Sequence, residues 1–120
     1  MAVRAIRGAT QVDADDRGQV LEATRELVST GVERNGLDGE QLISILFTAT
    51  PDLTSEFPAL AARELGLGDV PLMCATEIGV PHALPRVLRL MAHVETDRPR
   101  ADVQHVYLRG AAALRRDIAQ

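Results

Sequence analysis

The stretch LISILF, Leu42 to Phe47, limits the fold more than any other part of the chain. Within Gln41 to Ala49 it reads as a strand, and its near lack of polar positions asks for cover on both faces. The rest of the chain must supply that cover. With 120 residues there is room for one domain and one core, spanning 1–120. The packing material is small: Phe47, Phe57 and Tyr107 are the only aromatics. A core of Leu, Val, Ile and Ala follows, and association with other copies would help it.

The flanking patterns fill in the layers. Val3 to Val12 alternates as a strand, with Val3, Ala5, Arg7 and Ala9 on one face and Arg4, Ile6, Gly8 and Thr10 on the other. Asp13 is placed to cap a helix, with Asp15 and Asp16 favourable near its first turn. Val20, Ala23, Thr24, Leu27, Val28 and Gly31 form its buried stripe, and Asn35-Gly36 ends it. Thr50 to Phe57 reads as a loop. Pro58 opens a short helix that stops before Gly66. Val70 to Ala75 reads as a strand. Pro85 to Glu95 fits both periods; we read a helical turn to about Arg86 and then a strand. Pro99 to Gln104 is a turn, His105 to Leu108 a strand, and Ala111 to Leu114 a last extended piece. The expected class is α/β (α+β): a mixed sheet of about five strands, one long helix and short helices.

Charge and cysteine content narrow the partners. A net charge of -4 leaves no basic footprint for nucleic acid. All thirteen basic residues are arginine, whose planar fork suits a carboxylate ligand better than lysine does. One cysteine forms no internal disulfide. The N-terminal stretch MAVRAIRGATQV is too short and too charged for a signal peptide, and no apolar run approaches the roughly 18 residues of a spanning helix. A soluble cytoplasmic protein with no membrane partner is expected.

The usual catalytic signatures are missing. His82, His93 and His105 lack metal-ligand spacing, so no metal is expected. The GLG at Gly66 to Gly68 follows a helix instead of opening one, so no phosphate loop or cofactor is expected either. Cys74 lies in an apolar stretch that favours a neutral thiol over a nucleophile. Arg7, between Ile6 and Gly8, either faces solvent or aims into a cleft. Arg89, among Val87, Leu88, Leu90 and Met91, needs a carboxylate partner if buried, supplied by Glu77 or by an anionic ligand. Glu77 either points at water or makes a polar point in an apolar pocket. Tyr107 is a core ring or a donor to a ligand oxygen.

Four strings place these residues in one pattern: RGATQV, TATPDLTSEFPALAAREL, VPLMCATEIGV and HVYLRGAAALRRD. In order and spacing they resemble the monofunctional chorismate mutases of the trimeric α/β class, over essentially the whole chain. The resemblance implies conversion of chorismate to prephenate in aromatic amino-acid biosynthesis, without cofactor. It implies a barrel-like homotrimer with active sites between subunits. Arg7, Arg89 and Tyr107 would bind the side-chain carboxylate, and Arg89 would also reach the ether oxygen. Glu77, with Met73 and Cys74, would hold the ring hydroxyl. Phe57, Ala59 and Arg63 would come from the neighbouring subunit, and Leu114 and Arg115 would close over the ligand. Leu60 stands where the family often has a lysine. Two other readings compete: a trimeric metabolite-binding module without turnover, and an imine-hydrolysing trimer on a similar scaffold, whose own motifs the chain lacks.

Overall fold

A computed structural model describes residues 1–114. Five strands form one mixed sheet: β1 (Ala2–Gln11), β2 (Leu42–Ala49), β3 (Leu72–Thr76), β4 (Val87–Thr96) and β5 (Val106–Tyr107). Their order is β3-β2-β4-β1-β5. β4 is antiparallel to both β1 and β2, while β5 and β3 join the two edges in parallel. This is the mixed five-stranded sheet expected from the sequence.

Helix α1 (Arg17–Arg34) covers one face of the sheet. Val20, Ala23, Thr24, Leu27, Val28 and Gly31 are buried as the periodicity predicts, joined by Leu21. With the short α2 (Ala59–Ala62), α1 closes the principal core over Ile6, Ile45, Phe47, Leu90 and Val94. Gly8 permits this approach: a Cβ there would stand 3.1 Å from Leu27 Cδ1 and 3.3 Å from the Val106 carbonyl. The C-terminus of α1 is held by Asn35, whose Nδ2 donates to the carbonyls of Gly31 and Gln104 at 2.8 and 2.9 Å. Gly36 then turns the chain at φ 61°.

Several expectations are corrected. The cap of α1 is Asp16, not Asp13: its carboxylate accepts the Gln19 amide at 3.0 Å, because the helix starts one turn later. No helical turn precedes Arg86; Val87–Thr96 is strand throughout, since β1 and β2 pair with it on both sides. The helix from Pro58 continues past α2 as a π turn, Arg63–Leu67, which breaks at Gly66 with φ 89°. Ala111 to Leu114 is not extended: Arg109–Leu114 forms a 3₁₀ helix, because β5 ends after Tyr107 and leaves no strand to extend. β2 is not covered on both faces within one chain. Leu42, Ile45 and Phe47 are buried, but Ile43 and Leu46 are exposed, with a bulge between Leu42 and Ser44. Among the described residues, no helix is long and apolar enough to cross a membrane.

Candidate functional site

Strand register sorts the candidate residues by face. Paired residues of neighbouring strands point to the same side, so a row can be followed across the sheet. One row runs Ala75, Thr48, Arg89, Ala9, Tyr107. The next runs Met73, Leu46, Met91, Arg7. Both lie on the face opposite α1, which is open in the single chain except at its Ala9–Tyr107 end, where the Arg109–Leu114 segment packs over it. Arg7 and Arg89 are diagonal neighbours there, about 7–8 Å apart at Cα by strand geometry. Each is half-buried, and Met73 is 66% exposed.

Glu77 stands at the end of this face. Its amide extends the β2–β3 ladder by donating to the Ala49 carbonyl at 2.9 Å, which fixes where its side chain starts. Arg89 Nε donates to both Glu77 oxygens at 3.1 Å, and the Thr48 hydroxyl donates to Oε2 at 2.6 Å. The Glu77 side chain is 18% exposed and that of Arg89 is 40% exposed. The carboxylate is therefore neither pointed at water nor left in an apolar pocket; it anchors a guanidinium. Because the anchor is Nε, the two terminal nitrogens of Arg89 keep their donors. Among the described residues they have no partner. The pair can present a fixed, bidentate cation to an anion on the open face.

Tyr107 ends the row at 4% exposure, packed with Ala9, Val87 and Ala111 and bordered by Leu84 and Leu114. Leu114 thus lies beside the candidate face; Arg115 lies outside the described residues.

The other candidates sit elsewhere. Cys74 pairs with Phe47, so its side chain is on the opposite face from Arg89. It lines a cleft of about 290 Å³ with Phe47, Thr76 and the loop from Leu53 to Pro58. Phe57 is exposed at the rim of that cleft. Arg63 is exposed at the start of the π turn, and Ala59 is buried in the principal core. One chain therefore carries two half-sites that meet at Thr48 and Ala75: an arginine face with Arg7, Arg89, Glu77, Tyr107 and Met73, and a cleft with Cys74 and Phe57.

Sequence reasoning missed Thr48, which holds Glu77. A threonine inside FTAT at the end of an apolar strand carries no signal, because its role depends on a carboxylate just beyond the next strand in the chain. Among the described residues no group of three or more His, Cys, Asp or Glu is placed to hold a metal ion.

Comparison with known proteins gives a consistent result. The family model for chorismate mutase type I matches residues 3–118. A chorismate mutase AroH from Thermus thermophilus is 50% identical over 117 residues, covering 97% of this chain and 96% of that protein. The chorismate mutase AroH of Bacillus subtilis (strain 168) is 40% identical over 120 residues, covering 99% and 94%. A solved chorismate mutase from Clostridium thermocellum superimposes with a TM-score of 0.90 at 45% identity, over 91% of this chain and 97% of that one.

Proposed function

The chain belongs to the chorismate mutase type I family and converts chorismate to prephenate, and we propose that it does so where the arginine face of one copy meets the cleft of a second. The reaction is a Claisen rearrangement in aromatic amino-acid biosynthesis. It breaks a carbon–oxygen bond while forming a carbon–carbon bond and needs no proton transfer. A nucleophile or a metal ligand set has no part in it.

The protein has two tasks. The first is to hold a flexible dianion in its compact, chair-like form, an effect of orientation. Arg7 and Arg89, as diagonal neighbours on a rigid sheet, grip the side-chain carboxylate, with Tyr107 at the end of the row. The second is to meet charge that appears only in the transition state, negative on the departing ether oxygen. Arg89 does this with a terminal nitrogen, already charged and already aimed.

Glu77 has two roles. It holds Arg89 through Nε, and it receives the ring hydroxyl. A carboxylate offers roughly four acceptor positions. Arg89 and Thr48 occupy three of them, which leaves one on Oε1 for the substrate. Its negative charge also lies near the electron-poor ring.

The single observation that carries this reading is the Arg89 guanidinium anchored by its inner nitrogen with its outer nitrogens unengaged. The shared site is supported by the side chain of Cys74 turning to the opposite face of the sheet from those of Arg7 and Arg89. The working unit is a homotrimer, which also covers Ile43, Leu46 and Met73. Phe57 and Arg63 of a neighbouring copy complete the wall. The cytoplasm is the compartment assigned to it, where small anionic metabolites are exchanged between enzymes. The test is addition of purified protein to chorismate. Loss of chorismate absorbance with appearance of prephenate is expected; tight binding without loss would return the non-catalytic module to first place.

A further inference from the structure

The loop that walls the cleft, residues 50–57, is gripped from behind by carboxylates. Asp15, in the turn between β1 and α1, accepts the Thr54 amide at 3.1 Å, the Ser55 amide at 3.0 Å and the Thr54 hydroxyl at 3.0 Å. Glu56 accepts the Phe57 amide at 2.9 Å on one oxygen and Arg17 Nε at 2.9 Å on the other. The amides of Thr54, Ser55 and Phe57 thus all end on anions. This stretch belongs to neither sheet nor helix, so these bonds set its path. On its other side it faces Cys74, Ala75 and Thr76 across the cleft.

Resting on the function assigned above, we propose that Asp15 is a positioning residue for the mutase reaction: its carboxylate, with Glu56, keeps the cleft wall in the shape that receives substrate. Both groups behave as engaged anions. The Ser55 side chain, then the Thr54 and Ser55 amides and the Thr54 hydroxyl, hold its carboxyl below the usual range. The Phe57 amide, then Arg17, does the same for Glu56. The effect on catalysis is one of populations. While the clasp is closed, the receptive shape of the wall dominates. When it is released, the receptive fraction falls, and apparent affinity falls by the same fraction, while bound substrate reacts as before.

The experiment compares Asp15→Ala and Asp15→Asn with wild type in chorismate turnover and in amide exchange at Thr54 and Ser55. KM is expected to rise about tenfold with kcat within about twofold, and both amides to exchange faster. A purely structural role would lower the melting temperature and leave KM unmoved, and that result overturns the proposal. So does unchanged exchange at the two amides. If the Asp15 variants do not fold, Glu56→Gln loosens the same wall at Phe57: KM is expected to rise in the same way and the Phe57 amide to exchange faster, and an unmoved KM or unchanged Phe57 exchange overturns the proposal. Turnover by wild type separates the two levels of the argument: a wild type that leaves chorismate intact overturns the function itself, and this proposal with it.

Discussion

Arg89 contributes both a charge and a shape, and substitution separates them. Arg89→Lys keeps the charge, but lysine cannot bond Glu77 through an inner nitrogen and still offer two outer ones. We expect kcat to fall roughly 10²–10³-fold, the usual result of removing a preorganised donor, with a smaller change in KM. A rise in KM with kcat unchanged would assign Arg89 to binding alone. Thr48→Val tests the support beneath it. Without the 2.6 Å bond from the hydroxyl, Glu77 is freer to rotate, and a loss of about tenfold in kcat/KM is expected. Cys74→Ser changes kcat little, since no step of the rearrangement uses a thiol. At this scale the sequence was partly legible. The need of Arg89 for a partner follows from its apolar neighbours, and Glu77 was named as one option. The roles proposed for Arg7 and Tyr107 come from family resemblance alone, because a lone arginine in an alternating strand looks the same whether it faces water or ligand.

At the scale of the element, helix α1 holds an unused gain in stability. Gly31 is buried, yet a Cβ there would meet nothing within 4 Å. It borders a small void of about 20 Å³ between helix and sheet, near Ile6, Val28 and Leu90. Gly31→Ala should stabilise the fold by about 1 kcal/mol through backbone entropy and helix propensity, read as a higher denaturant midpoint. The cleft loop gives a pH signature. Asp15 and Glu56 have pKa values below their ordinary 3.8 and 4.5. Protonation therefore favours the opened state. Their stabilising contribution is complete above those ordinary values and is lost as pH falls through the lower folded-state values. Melting temperature followed from about pH 6 to about pH 2 should fall less steeply in Asp15→Asn than in wild type. Strands and the main helix were legible from their periods. The cap was misassigned because Asp13, Asp15 and Asp16 look alike in sequence and differ only in what each meets: Asp16 the helix, Asp15 the loop. Pro85 to Glu95 was ambiguous for a different reason: its strand character comes from partners on both sides.

At the scale of the whole molecule, the two half-sites predict complementation. Arg89→Ala damages the arginine face and spares the cleft; Phe57→Asp does the reverse. Each variant alone should be nearly inactive. Refolded together in equal amounts, about a quarter of the sites would pair an intact face with an intact cleft if the copies mix at random. Recovery of that order supports a site shared between copies, while no recovery places the whole site within one chain. The apolar run Leu42 to Phe47 belongs here as well. It was read as needing cover on both faces, and a single chain covers one.

The order β3-β2-β4-β1-β5 has a further consequence, for how the molecule is made. Strand β1 finds its partners only after β2 and β3 have been made: Ala2 lies beside Thr96, and Ala9 beside Tyr107. The nascent chain must carry β1 unpaired until β4 has emerged. Such distant closures make folding slow relative to helical proteins of similar size, and they leave the early segments dependent on whatever shields them in the meantime.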